Sequence, residues 1–153
     1  MARSLALWVY LLLAERGADA PRPERPERPD GPLLWLHAGQ GSRSDSLRQL
    51  ARLLHGARPG LQMLVTGEGT QLPDVVAMPT GVAADRLPPD NLPAVRDFLD
   101  HWQPSAALFI GASLPAALIA EAHGRDVPLM MADTAIAGDA IPFWRRGMAG
   151  SVL

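Results

Sequence analysis

The stretch LLWLHAGQGSRSDSLRQLARLLHGARPGLQMLV, residues 33–65, decides the fold. It opens on Leu33-Leu34-Trp35-Leu36, a continuous apolar run after a Gly-Pro break, as expected of a strand buried on both faces. Ser44 or Asp45 is placed to cap a helix whose apolar positions Leu47, Leu50, Ala51 and Leu54 follow the 3.6-residue period. Arg48, Gln49 and Arg52 fall on the opposite side. Gly56, Pro59 and Gly60 end that helix, and Leu61 to Val65 begins a second strand.

The pattern continues outward. Val75 to Met78 predicts a weak third strand, and Leu92, Val95, Phe98, Leu99 and Trp102 form one stripe of a second helix stopped by Pro104. Ala106 to Ile110 reads as a strand. Ser113 is placed to cap a third helix, with Pro115 in its first turn, reaching about His123; Val127 to Met131 is the last strand. Strands alternating with helices imply βαβ units, so the expectation is a single Rossmann-like α/β domain, a parallel sheet with helices on both faces, over residues 32–140. Ligands of such sheets gather at the carboxyl ends of the strands. Here those ends are Ala38 to Asp45, Thr66 to Thr70, Gly111 to Ser113 and Ala132 to Ala137.

Two segments precede this domain, and residues 141–153 follow it as a tail. Within residues 1–17, Leu5 to Leu13 is unbroken apolar sequence between Arg3 and Arg16. As a helix, Ser4 to Ala14 would be about 16 Å long, too short for the roughly 30 Å of a hydrocarbon core. An interfacial anchor with Trp8 and Tyr10 at headgroup depth fits this run. A signal peptide cut after Ala18-Asp19-Ala20 is a second reading, although Pro21 after the cut fits poorly; an ordinary buried helix is the third. Residues 18–31 carry a proline at about every third position from Pro21 to Pro29. That spacing forbids helix and sheet interior and predicts a semi-rigid extended spacer of about 30 Å, with a proline-recognition ligand as the lesser alternative.

Composition narrows the chemistry. The chain has 153 residues, 48% hydrophobic and 20% charged, which suffices for one globular core. Its 14 basic and 16 acidic residues give a net charge of −2, against a nucleic-acid partner. All the basic residues are arginine, so Schiff-base chemistry and a P-loop lysine are excluded. With no cysteine, disulfides, thiolate nucleophiles and iron–sulfur ligation are excluded too. His55, His101 and His123 lie near helix carboxyl ends, where a positive imidazole suits the dipole, and their spacing matches no metal site. No metal and no cofactor is expected.

The polar candidates cluster at strand ends. His37 stands beside a glycine-bearing loop, as a ligand contact or as a satisfied core histidine. Gly39-Gln40-Gly41-Ser42 leads into a helix start and is suited either to cradling a phosphate with Arg43 as anion partner or to a plain tight turn. Gly111 and Ser113 border the fourth strand's end. Glu68 offers a loop carboxylate with no partner nearby in sequence, and Asp133 is placed to hydrogen-bond a sugar hydroxyl.

These segments resemble the N-terminal domain of 3-deoxy-D-manno-octulosonic acid (Kdo) transferases. The resemblance rests on the short apolar N-terminal run, on Leu36-His37-Ala38-Gly39, and on the stretch from Leu92 to Pro104. Leu114-Pro115 and Asp126-Val127-Pro128-Leu129 follow in register. It implies the acceptor-binding half of a two-domain glycosyltransferase of the GT-B type, which acts on a lipid A precursor with CMP-Kdo as donor. It also implies a bacterial inner membrane, cytoplasmic-face location. A signal peptide over residues 1–20 would instead mean the periplasm.

The departures fall on the family's chemistry. Counting from His37, the general-base glutamate of the family loop is Arg43, and a guanidinium cannot accept a proton. Asp45 is the nearest carboxylate, and its simpler role is capping the next helix. The proline register sets the family's two acids at Ile110 and Ala112, its Trp at Leu114 and its Asn at Ala116. The motif after the last strand is Asp133-Thr134-Ala135-Ile136-Ala137, with Ala135 where the family has Arg. The expectation is a catalytically degenerate relative, or one half of a transferase, with no catalytic residue of its own. It would offer a site for a lipid A-type or other anionic ligand and a membrane surface for Leu5 to Leu13. The alternatives are an active transferase completed by a C-terminal donor domain or partner chain, and a stand-alone anion- or partner-binding module.

Overall fold

In the computed structural model, which describes residues 23–39, 44–67, 75, 78–111 and 115–132, the run after Pro32 forms strand β1 (Leu33–Ala38). Helix α1 (Ser44–Ala57) and strand β2 (Gln62–Gly67) follow, as the period of the opening stretch requires. Then come β3 (Val82–Arg86), α2 (Leu92–Trp102), β4 (Ala106–Ile110), α3 (Ala116–Gly124) and β5 (Leu129–Ala132). The five strands form one sheet, ordered β3-β2-β1-β4-β5, and every pairing is parallel. The Rossmann-like α/β class therefore holds. The apolar run at 1–17 and the tail at 141–153 lie outside the described residues.

Period-2 alternation assigns the faces. Leu33 and Trp35 of β1, Leu64 of β2 and Ala107 and Phe109 of β4 share a core with Val95, Phe98, Leu99 and Trp102 of α2 and Ala117, Leu118 and Ala122 of α3. The Trp35 ring lies 5.1 Å from both Phe98 and Phe109. Each such side chain contributes about 1.5–3 kcal/mol on burial. On the other face Leu36, Met63 and Val65 meet Leu47 and Ala51 of α1. Helices thus cover both faces.

Three local readings are corrected. The third strand among the described residues is Val82–Arg86; of the expected Val75 to Met78, Val76 and Ala77 lie outside the described residues, Val75 and Met78 are not in a strand, and Met78 packs at the edge of the α1-side core. Gly81 turns the chain into β3 with φ +82°, and its carbonyl takes the Met63 amide at 2.8 Å. The run Val82-Ala83-Ala84-Asp85 lacks the bulk that marks a strand, and its acid is buried only because partners arrive from elsewhere in the chain. Helix α3, secondly, begins after Pro115, which caps it without a side-chain bond and does not lie within its first turn. Its first amides donate instead to Asp90, Ala116 N at 3.1 Å and Ala117 N at 2.7 Å. Ser113 lies outside the described residues. Helix α2 has its own cap, Asn91, which accepts from Ala94 N at 2.9 Å.

The third correction concerns the proline-rich spacer. Residues 23–32 form neither helix nor strand, as the prolines require, but from Arg25 to Arg28 they are held against α2. Arg25 is paired with Asp97 and, at 3.1 Å, with Asp85. Arg28 donates to Trp102 O at 2.7 Å, and His101 Nε2 donates to Pro26 O at 2.8 Å. An extended proline-rich chain has three residues per turn, so Arg25 and Arg28 fall on the same edge and meet their acceptors together.

Asp90→Ala strands two amides at the start of α3. It is expected to lower the free energy of unfolding by about 1–2 kcal/mol, read as an earlier midpoint in urea. An unchanged midpoint would show that the tertiary cap contributes nothing.

Candidate functional site at the carboxyl edge of the sheet

In this strand order the chain leaves the neighbouring strands β1 and β4 in opposite directions, to α1 on one face and α3 on the other. The resulting crevice outside their carboxyl ends is where open α/β sheets bind ligands. Two glycines follow directly on β1 and β4 there. Gly39 N donates to Ile110 O at 2.7 Å, and Gly111 N donates to Ala132 O at 3.2 Å, which ties the ends of β1, β4 and β5 together. Gly111 has φ +110°, and a Cβ there would meet Gly39 Cα at 3.2 Å. Only glycine suits a position with both that torsion and that approach.

His37 is within β1, one residue before its end, and only 1% exposed. Its ring meets Phe109 edge-on at 5.2 Å, and its Nδ1 shares a hydrogen bond with Thr66 Oγ1 at 3.0 Å. Trp35 Nε1 donates to the same hydroxyl at 2.8 Å. Strand register extends this arrangement, since His37 pairs with Thr66 and Thr66 with Asp85. Buried polar side chains thus cross three adjacent strands at one level. Asp85 accepts from Trp102 Nε1 at 2.7 Å, from Arg25 Nε and from the Arg86 amide. Buried polar groups of this kind need such partners, because each one lost exposes the full desolvation penalty.

The structure therefore brings together His37, Gly39 and Gly111 of the residues singled out by sequence. Gln40, Gly41, Ser42, Arg43, Ser113, Asp133 and Glu68 lie outside the described residues. Thr66, Asp85 and Arg25 were not foreseen. The signal available for Thr66 was its place opposite His37 in the strand register; for Asp85 and Arg25 no local signal existed, since their pairing spans 60 residues. Asp85 and Asp90, acids that reach this edge, are committed to Arg25 and Trp102 and to the start of α3. His55, His101 and His123 close helices as read. Among the described residues no group of three His, Asp or Glu side chains is placed to hold a metal ion. Nor, among them, is any helix long and apolar enough to cross a membrane.

Thr66→Val keeps the side chain's shape and deletes the oxygen that Trp35 and His37 share. The expected cost is about 1–3 kcal/mol of stability, with the Trp35 indole proton displaced in the NMR spectrum. Loss of neither would show that the hydroxyl is dispensable.

The family model for 3-deoxy-D-manno-octulosonic-acid transferase (kdotransferase) matches residues 13–152. No curated protein and no solved structure matches the chain. A five-stranded parallel Rossmann-like sheet, with its crevice at the β1–β4 switch point, is the frame on which that match falls. The chain belongs to the Kdo transferase family, as its N-terminal glycosyltransferase domain.

Proposed function

We propose that this is an acceptor-side Kdo transferase domain that has kept its frame and lost its proton-transfer chemistry, and that its crevice takes an anionic group of a lipid A-type molecule. The observation that carries the reading is Gly111. In the family pattern this position, between the two acids, holds Ser or Thr. Here φ is +110° and the space for a Cβ is taken by Gly39. That backbone is not one on which a Ser or Thr side chain is presented. The flanking acid position is Ile110, which packs on the α1-side core and gives its carbonyl to Gly39.

Base catalysis of glycosyl transfer needs a group that accepts the attacking hydroxyl's proton. Arg43 stands where the family has glutamate, and it stays protonated. The exchange of a negative for a positive side chain at a helix amino end favours anions over a neutral attacking hydroxyl. Both changes support binding without turnover. The apolar run Leu5 to Leu13 supports a membrane-surface location for the same domain.

Purified protein is expected to transfer no Kdo from CMP-Kdo to lipid IVA, with or without a supplied donor domain. Arg43→Glu is not expected to restore transfer, because Ile110 and Ala112 stay apolar. Turnover above the no-protein control would overturn the degenerate reading.

Anion binding is tested separately by an NMR titration of the amides of residues 39–45 with inorganic phosphate and with a phosphorylated glycolipid headgroup. Salt-sensitive shifts that disappear in Arg43→Ala are expected, worth on the order of 1–2 kcal/mol. Amides that do not move would remove the binding site.

A further inference from the structure

Strand β4 is covered on one face only. It lies between β1 and β5, and strands so placed in a parallel sheet carry helices over both faces. Towards α2 and α3, Ala107 and Phe109 are buried. Towards the α1 side, Ala106, Leu108 and Ile110 are only half-buried. The register sets Met130 beside Leu108 and Ala132 beside Ile110, and both of these β5 residues are exposed. On the α1 side the sheet over β4 and β5 is therefore an apolar shelf, and no described helix or strand lies upon it.

Helix α1 forms one wall of this shelf. A right-handed crossover from β1 to β2 sets α1 over those two strands and turns its Leu50 and Leu53 flank towards β4. Arg48, Arg52 and His55 take the other flank, towards β3. Among the described residues the exposed large hydrophobic side chains are Leu53, at 66%, and Met130, at 50%. They border the shelf from its two sides, one on α1 and one on β5. Single exposed apolar residues need no explanation. Two that border one half-covered apolar face mark a surface on which something sits.

We propose that this shelf is the docking surface of the chain's own segment from Ile141 to Leu153, which lies on it as a helix. Strand β5 hands the chain over at Ala132, itself a shelf residue, and residues 133–140 are long enough to turn back over it. Ile141, Trp144, Met148 and Val152 recur at the spacing of one helical face, and Pro142 suits a first turn. As a helix, residues 141–153 are about 20 Å long, against about 17 Å for a five-residue strand such as β4. The family match runs to residue 152, so this segment is counted with the sheet as one domain. The chain's other apolar run, Leu5 to Leu13, enters from the opposite face, because the residues that follow it are held along α2. The docking stands whether or not the crevice binds an anion.

The test is made on the full chain, whose lack of cysteine permits a single nitroxide label at Gln49→Cys, an exposed position of α1 beside the shelf. The signal read is the Trp144 indole proton, identified among those of the four tryptophans by its loss in Trp144→Phe. The label is expected to weaken that signal at least twofold, and Leu53→Glu together with Met130→Glu to restore it. Both replaced side chains are exposed, so the sheet is expected to survive, which an unmoved Trp35 indole proton reports once the label is reduced. Full intensity in the labelled parent would overturn the docking. In that event a dimer that Met130→Glu dissociates would assign the shelf to a second copy, and pelleting with vesicles that needs Leu53 and Met130 would assign it to a lipid surface. Weakening that persists in the double variant would overturn the shelf as the seat of the segment. A mixture of isotope-labelled protein with spin-labelled protein is expected to show no weakening; weakening there would overturn docking within one chain.

Discussion

Strand β1 has a neighbour on each side and helices over each face, so every polar group on it must find its partner inside the protein. Apolar side chains meet that requirement by packing, and Leu33, Trp35 and Leu36 are fully buried. His37 meets it at Nδ1, through the hydrogen bond with Thr66 Oγ1, and this draws in its neighbours. Its partner Thr66 is buried in turn and also accepts from Trp35. One strand further, the edge of the sheet would expose Asp85, yet the acid is covered by Trp102 and by Arg25. The row therefore ends in charge compensation at the point where the sheet runs out of strands. Arg25 of the proline-rich segment thus meets the acid of an edge strand, where no further strand could cover it.

How much of this was legible depends on the distance over which each signal acts. The two helices with strong stripes, α1 and α2, and the bulky strands β1, β2 and β4 announce themselves within a window of a few turns. That the sheet is parallel follows from their alternation; the order β3-β2-β1-β4-β5 does not. β3 was missed because two alanines and an aspartate look unlike a strand until Trp102 and Arg25 are in place. The start of α3 was misread for the same reason, since its cap is Asp90, 26 and 27 residues away from the amides it serves. Proline spacing correctly excluded helix and sheet from residues 23–32. It said nothing of the acids that hold Arg25, which stand 60 and 72 residues further along.

At the site the same division appears in sharper form. Gly39 and Gly111 were read as loop residues next to strand ends, and both stand where β1 and β4 end. Their contact with each other, with a Cβ position 3.2 Å from a backbone carbon, belongs to two loops 72 residues apart. No pattern within either loop encodes it. Resemblance supplied the positions where the family's acids and base are expected, but not the backbone that Gly111 adopts between two of them.

His37 shows why a motif residue must be weighed by its surroundings. As the first residue of the family's loop motif it invites a role towards ligand. At 1% exposure, bonded to Thr66 and stacked edge-on against Phe109, its first duty is to the interior. Side chains that line an open crevice can be exchanged without orphaning a buried partner, and their replacement costs the fold little. Removing a member of the buried row leaves another member unsatisfied, at about 1–3 kcal/mol each time. A domain of marginal stability, 5–15 kcal/mol by the general range, can shed the first kind of residue freely and the second kind hardly at all. The physical cost of change therefore falls on His37, Thr66, Asp85 and Arg25, whatever has become of the chemistry at Arg43 and Ile110.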